Sequence, residues 1–303
     1  MTTTIQHESL FTTQEINYLR YFTLLPEIEI DIRLLIDLFQ IDNEEVVPFF
    51  DCIHDLTRSG WLICNKQKYK LNGTKYHVIH QNYPPDCTNC ASLINSINNY
   101  IKNRTLDIAT RENYIPYAEA IINRIEDDAQ LLLSLCNNLS VLFIEIEDYN
   151  KALMYNMKTI TLAEFTLPRN HHLFTAYYKN AIIIYGKLED DDKQLDYIHK
   201  YITILKTKPE ANIKELSFYY YNVALMHYNR SEFENARYYI DEAIELNKRI
   251  LGSHHPEVLK EMKIQKKIHR INAFNEHLTK YLKWYLLFIL MTLTCAIFLN
   301  LWQ

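Results

Sequence analysis

The pattern of hydrophobic and polar positions along this chain predicts helices over most of its length. Between residues 130 and 262, apolar side chains recur three and four positions apart, in paired stretches separated by short polar turns. This spacing is the period of an amphipathic helix, whose apolar positions share one face. Because the 303 residues include only four glycines and eight prolines, few residues interrupt these patterns. We therefore expect a mainly α-helical protein.

The paired stretches form an internal repeat of 42 residues. Three segments align without gaps, and they begin at Asn138, Asn180 and Asn222. A fixed period of this length is typical of stacked helical hairpins, each of which buries its apolar face against its neighbours. The repeat therefore predicts an α-solenoid over residues 130–262. Fourteen residues after each asparagine stand Ala152, Gln194 and Ala236.

The last copy, "YYNVALMHYNRSEFENARYYIDEAIELNKRILGSHHPEV", resembles the tetratricopeptide repeat, and more narrowly its kinesin-light-chain-like form of 42 residues. Ala224, Ala236 and Ala243 stand where that family has small residues, which let two helices approach closely. In the middle copy, Gln194 departs from the family's pattern at one of these positions. The resemblance implies a non-enzymatic protein that binds a peptide or a protein partner.

The same resemblance implies a binding groove lined by the first helix of each hairpin. In the family, an asparagine at this register hydrogen-bonds the backbone of a bound extended peptide, and an amide offers both a donor and an acceptor for that purpose. An alternative stays open, in which the asparagines hydrogen-bond between adjacent helices and stabilise the solenoid. The candidate groove residues are Asn138, Asn180, Asn222, Tyr221, Leu225 and Tyr228.

Residues 12–81 predict a different fold. Three helical patterns precede "WLICNKQKYKLNGTKYHVIHQ", in which apolar and polar residues alternate and Asn72-Gly73 is a hairpin-turn pair. Three helices followed by a β-ribbon are the elements of a winged helix. This part resembles the winged-helix domain of STAND signalling ATPases, but the chain has no Walker A motif for a nucleotide. A helical linker over 86–129 follows.

A winged helix raises the question of DNA binding. The expected recognition helix, residues 44–59, carries four acidic side chains against the single cation of Arg58. Such a surface repels phosphates, and the net charge of −5 gives no general attraction to nucleic acid. The ribbon does hold Lys66, Lys68 and Lys70. An alternative function therefore stays open, that of a membrane-bound transcriptional or signalling regulator whose winged helix contacts DNA or a nucleotide-binding partner.

The sequence predicts no catalytic residues, no metal site and no cofactor. Phosphate loops, the nucleophile elbow of hydrolases and the zinc-protease motif are all missing from the sequence. Cys87 and Cys90 have the spacing of metal ligands, but no second such pair completes a zinc site. Free buried thiols are therefore expected, and an enzyme is not.

The chain ends on an uncharged stretch of 19 residues, from Trp284 to Trp302. A helix of that length measures about 28 Å, close to the hydrocarbon thickness of a bilayer. Trp284, Tyr285 and Trp302 stand at its ends as interfacial aromatic residues do, and the basic segment 263–283 precedes it. The stretch predicts a transmembrane helix, with a dimer interface between two tail helices as the alternative.

These observations combine into one expected architecture and function. We expect a membrane-tethered adaptor, anchored by its tail in what the STAND resemblance suggests is a bacterial inner membrane. Its other domains would lie in the cytoplasm, and it would bind a protein or peptide partner without nucleic acid. The expected domains are a winged helix at 12–81, a linker at 86–129, repeats at 130–262, a basic juxtamembrane helix at 263–283 and a transmembrane helix at 284–302.

Overall fold

The computed structural model of the protein describes residues 11–125 and 130–301, with side chains described up to Thr294. The described chain is mainly α-helical, as predicted. It divides into two compact units, with the boundary between His171 and His172.

The first unit begins with three helices and a small antiparallel sheet. The strand order in this sheet is β1-β3-β2, with Ile30 opposite Tyr69 and Leu62 opposite Leu71. Phe49 is fully buried and contacts the ring of Tyr18 edge to face. The elements are α1 Thr13–Leu24, β1 Ile30–Asp31, α2 Ile32–Leu38, α3 Val46–Arg58, β2 Leu62–Asn65 and β3 Lys68–Leu71.

The hairpin turn of this sheet lies at Lys66 and Gln67, which have φ angles of 47° and 63°. The prediction of a turn at Asn72-Gly73 is therefore wrong. A two-residue hairpin loop needs positive φ at both positions, and here two non-glycine residues adopt it because the pairing of β3 with both neighbouring strands fixes the register. Asn72 instead donates to the Gly60 carbonyl at 3.0 Å and starts a short 3₁₀ turn.

The rest of the first unit is helical. Arg124, at the end of α7, donates hydrogen bonds to the carbonyl oxygens of Thr23 and Leu25, which joins this helix to the end of α1. In the hairpin of α8 and α9, Ala152 is fully buried, and its carbonyl accepts from the Ser140 hydroxyl at 2.9 Å. The helices are α4 Tyr76–Asn82, α5 Ala91–Lys102, α6 Ile108–Glu112, α7 Ile115–Arg124, α8 Gln130–Glu145 and α9 Tyr149–Thr166.

The second unit consists of two helical hairpins and one long helix. The fully buried residues Ala236 and Ile240 of α13 pack in one cluster with Val258 and Ile268 of α14. Gly252 caps the C-terminus of α13, and its φ of 86° is a conformation that favours glycine. The helices are α10 Leu173–Lys187, α11 Asp191–Leu205, α12 Pro209–Asn229, α13 Phe233–Leu251 and α14 Pro256–Leu301.

The turns inside the three hairpins repeat with the period of the sequence. Each contains one non-glycine residue in the left-handed region, at Glu147, Glu189 and Ser231, again 42 positions apart. Asp148 and Asp190 follow the first two, and each side chain accepts a backbone N–H of the next helix. Because a left-handed residue stands at the same position of each repeat, the same turn geometry connects all three helix pairs.

The middle hairpin compensates for Gln194 in the adjacent helix. Gly186 of α10 lies against the end of the Gln194 side chain, and an added Cβ at Gly186 would overlap the Gln194 Nε2 atom. This amide donates to the Ile182 carbonyl at 3.1 Å. The small residue has therefore moved from the second helix of the hairpin to the first, so the two helices still pack closely.

The predicted transmembrane helix at 284–302 is wrong, and with it the predicted tail-anchored localisation. Residues 263–283 and 284–301 belong to one continuous helix, α14. Among residues 11–125 and 130–301, no helix is both long enough and apolar enough to cross a bilayer.

Two of the three predicted anchor residues are described in this structure. Trp284 and Tyr285 lie on α14 with 66% and 63% of their surfaces exposed. Trp302 lies outside the described residues.

The effect of replacing Gly186 with alanine should depend on residue 194. In the natural chain the new methyl group displaces the Gln194 amide from Ile182, so we expect the free energy of unfolding to fall by about 1 kcal/mol. In a Gln194→Ala background that overlap is gone, and the same substitution should stabilise the protein by up to about 1 kcal/mol through helix propensity. Urea unfolding of the four proteins in this double-mutant cycle measures the coupling. Equal effects in both backgrounds would contradict the compensation.

Candidate functional site

An open groove of about 400 Å³ lies in the second unit, between α12, the end of α13 and the start of α14. Its walls combine exposed apolar side chains with amides and charges. The lining residues are Lys214, Ser217, Phe218, Tyr221, Asn222, Asn247, Ile250, Leu251, Glu257, Lys260 and Glu261.

Helical periodicity places one face of α12 along the groove. Phe218, Tyr221 and Asn222 share this face, because positions three and four apart lie next to each other on a helix. The opposite face of α12 is buried, with Tyr220 and Val223 at 3% and 0% exposure. The helix can therefore pack on its neighbours and still present side chains to a ligand.

The apolar wall of the groove is unusually open to solvent. Phe218 is 57% exposed, and Ile250 and Leu251 at the end of α13 are 37% and 38% exposed. Three large apolar side chains around one concavity form a contact surface that another molecule can cover.

The floor of the groove contains a buried carboxyl group. Glu261 is 7% exposed, and the Asn247 amide donates to its two oxygens at 2.9 and 3.0 Å. Burial raises the pKa of Glu261 above its usual value, and the charge of Glu257 on the preceding turn raises it further. Burial also raises the pKa of Tyr221, with a smaller contribution from the charge of Glu261.

The structure brings two of the predicted groove residues together. Tyr221 and Asn222 both line the groove and are half-buried. Among the described residues, the Asn222 side-chain amide has no hydrogen-bond partner, so both its donor and its acceptor can meet a ligand.

Leu225 and Tyr228, further along α12, do not line this groove. Tyr228 packs against the cluster that α12, α13 and α14 share, and the Lys267 ammonium lies 5.3 Å from the centre of its ring. Leu225 is half-buried. Tyr228 is thus engaged by side chains of the same unit, which the sequence pattern of the repeats did not indicate.

The other two predicted asparagines lie elsewhere. Asn138, in the first unit, donates from Nδ2 to the Asn98 Oδ1 atom at 2.8 Å, and Asn98 donates in turn to the Ser134 hydroxyl at 3.0 Å. These bonds join α8 to α5, which is the interhelical role described as the alternative. Asn180 is half-buried on α10 and does not line the groove.

Sequence reasoning missed the residues that distinguish this groove. Phe218, Asn247 and Glu261 were not singled out, although Phe218 stands one helical turn before Asn222 and shares its face. Glu261 lies in a basic stretch and carries no motif. Its place in the groove depends on the packing of α14, which only the fold reveals.

The remaining candidate chemistry does not assemble into a site. Cys90 is fully buried and Cys87 is 5% exposed, and burial raises the pKa of the Cys90 thiol to about 12. Within the described part of the chain, no group of three or more His, Cys, Asp or Glu residues could hold a metal ion.

The lysines of the β-ribbon are partly engaged within the first unit. Lys70 lies 4.0 Å from the Glu29 carboxylate, and the Lys75 ammonium lies 5.2 Å from the centre of the Trp61 ring. Lys66 and Lys68 are exposed, as are Asp51 and Asp55 on α3. The face that a recognition helix would present to DNA therefore remains acidic.

Alanine substitutions should separate the roles of the asparagines. Asn138→Ala removes the donor to Asn98 and should lower the free energy of unfolding by about 1–2 kcal/mol. Asn222→Ala breaks no hydrogen bond of the described structure and should change it by less than about 0.5 kcal/mol. Urea unfolding measures both, and equal losses for the two variants would contradict these assignments.

The ionised carboxylate of Glu261 should lower the stability of the folded protein near neutral pH. A carboxyl group with a raised folded-state pKa binds its proton more tightly in the folded state and thereby stabilises it. This stabilisation is complete below the unfolded-state pKa and is lost as pH rises through the folded-state pKa. Glu261→Gln should therefore raise the thermal midpoint at about pH 7 and leave it little changed at about pH 3.5. Thermal unfolding at both pH values checks this, with Glu242→Gln on an exposed residue of α13 as the control. A lower midpoint for Glu261→Gln at pH 7 would contradict it.

Comparison with known proteins agrees with the helical repeats. Residues 219–257 match the tetratricopeptide repeat family. No curated protein matches the chain. Among solved structures, BtubC (BKLC) from P. vanneervenii is similar at 11% identity, over 66% of this chain and 78% of that chain, with a TM-score of 0.43. A STAND protein with a tetratricopeptide repeat sensor from Pyrococcus horikoshii is similar at 14% identity, over 86% and 50%, with a TM-score of 0.36.

The family match overlaps the groove. Tyr221, Asn222 and Asn247 lie within the matched residues, and the two helices of the matched segment, α12 and α13, supply most of the groove wall. Residues 219–257 are thus similar to a tetratricopeptide repeat, and the candidate binding site includes residues of this segment.

Proposed function

We propose that the protein is a non-enzymatic adaptor that binds a peptide segment of a partner protein in the groove between α12 and α14. One observation carries the proposal: a tetratricopeptide repeat presents an open groove of about 400 Å³ with an unengaged amide, Asn222, beside exposed apolar side chains. Repeats of this family generally bind protein partners, and this volume falls within the roughly 300–1,000 Å³ of ligand sites.

The groove chemistry suits an extended peptide. Each peptide unit has one donor and one acceptor, and the Asn222 amide offers the complementary pair whatever the peptide's side chain. Covering Phe218, Ile250 and Leu251 would remove apolar surface from water, which stabilises the complex by about 25 cal/mol for each Å². Specificity would then come from the side chains of the peptide.

The residues that line the groove support binding better than catalysis. None of the described lining residues is a histidine or a cysteine. Ser217 is 2% exposed, and its hydroxyl donates to the Lys214 carbonyl at 3.0 Å within α12. The hydroxyl is therefore neither accessible nor placed beside a general base.

The N-terminal segment is proposed as a second docking module. The order of helix, strand, two helices and a hairpin over residues 12–81 supports a winged-helix-like domain, followed by a linker at 86–129 and repeats at 130–262. On α3, Val47 and Phe50 are 68% and 38% exposed beside acidic residues. An acidic face with apolar side chains favours a protein partner over DNA.

Self-association through α14 is the last part of the proposal. Leu278, Leu282 and Ile289 share one face of this helix and are 48%, 53% and 36% exposed. A second copy of the helix would cover such surface, because apolar side chains at successive turns can pack across a helix pair.

Peptide selection tests the adaptor function. Full-length protein is immobilised and used to select from displayed random peptides of about ten residues, and the selected peptides are then measured by fluorescence anisotropy. Asn222→Ala should weaken binding about fivefold, the effect of one lost hydrogen bond, and Phe218→Ala by about tenfold or more.

The matched control is Asn229→Ala, which makes the same change on an exposed residue of α12 outside the groove. Its affinity should equal that of the natural chain. Failure to select any peptide, or equal binding by all three variants, would overturn the proposed function.

A further inference from the structure

We infer that the groove selects peptides with an arginine or lysine beside an apolar residue, and that Glu261 receives the positive charge. This inference rests on the proposed function and adds the chemical class of the ligand. It rests on a buried carboxylate that lies beside an apolar wall within one groove and whose oxygens have unused hydrogen-bond acceptor sites.

The Glu261 carboxylate has acceptor capacity left over. Its two oxygens accept from a single group, the Nδ2 of Asn247, at 2.9 and 3.0 Å. A carboxylate has about four lone-pair sites, so one amide donor leaves part of them unused. Since Glu261 lines the groove, the unused sites can be reached by a donor on a ligand.

No cation of the described chain neutralises this carboxylate. Among the described residues, no lysine, arginine or histidine forms an ion pair with Glu261. The nearest charges on its own helix are the carboxylate of Glu257 and the ammonium of Lys260, both on exposed side chains, and Lys214 on α12 is also exposed. A buried carboxylate without a cation is unfavourable, and a ligand cation would relieve that cost.

The surrounding side chains fit the stem of a basic residue. Arginine and lysine carry three or four methylene groups that pack on apolar surface while the charge reaches a polar group. Phe218 and Tyr221 provide this surface on α12, and an aromatic ring also attracts a cation. Ile250 and Leu251 at the end of α13 then leave apolar surface for a neighbouring residue of the peptide.

A purely structural role for Glu261 makes different predictions. In that case the carboxylate only links α14 to α13 through Asn247, and its charge is irrelevant to ligands. Glu261→Gln separates the two, because glutamine keeps the length of the side chain and an oxygen acceptor for Asn247 while removing the charge.

The test uses full-length protein and peptide pools with one fixed central position. Four pools of about ten residues carry arginine, lysine, glutamine or glutamate at that position and random residues elsewhere. We expect the arginine and lysine pools to bind at least about tenfold tighter than the glutamine pool, and the glutamate pool to bind most weakly. For Glu261→Gln the difference between the arginine and glutamine pools should disappear.

Glu242→Gln is the matched control, since it removes the same charge from an exposed residue of α13 that does not line the groove. It should keep most of the preference for basic pools. Circular dichroism and thermal unfolding establish that each variant is folded, and the pool comparison on the natural chain tests the inference independently of any variant.

Each outcome separates the inference from the function on which it rests. If the natural chain binds all four pools equally, or if Glu261→Gln keeps the full preference for basic pools, the inference is overturned and the adaptor function stands. If the natural chain binds none of the pools, the proposed function fails and the inference fails with it.

Discussion

The packing of α14 on α13 is the contact on which the candidate site depends. Val258 and Ile268 of α14 are fully buried in the same cluster as Ala236, Ile240 and Ile244 of α13. Without this contact, α12 would present a flat face to solvent. With it, the start of α14 supplies one wall of a groove and places Glu261 on its floor. The hydrophobic effect positions the helix, and the polar residues carried by the helix give the groove its chemistry.

Two residues at the same register of the repeat have different roles because their surroundings differ. Asn138 faces α5, where Asn98 offers an acceptor, so its amide is used within the fold. Asn222 faces the groove, and its amide meets no partner in the described structure. A helical repeat therefore fixes where an asparagine stands, while the adjacent helix decides whether its hydrogen bonds serve packing or remain for a ligand.

The middle hairpin shows that the repeat tolerates divergence through local compensation. Gln194 is too large for the position that Ala152 and Ala236 occupy in the other copies, yet Gly186 across the hairpin leaves room for it. The absence of a side chain at Gly186 lets Gln194 fit, and this matters because closely packed helices tolerate neither a cavity nor an overlap. The sequence showed the departure at Gln194, but its partner could be recognised only from the spatial neighbour.

The sequence by itself determined the helical character, the 42-residue period and the register of the hairpin turns, since these follow from periodic apolar positions and local turn residues. It also predicted Tyr221 and Asn222 as candidate groove residues, together with four others. Tertiary structure decided the hairpin turn at Lys66 and Gln67, the engagement of Asn138 by Asn98, and the burial of Glu261. It also gave the uncharged tail a place in one long helix that does not span a bilayer in its described part. The physical reason is the same in each case: strand register, hydrogen-bond partners and helix docking depend on residues distant in sequence, and no local pattern encodes them.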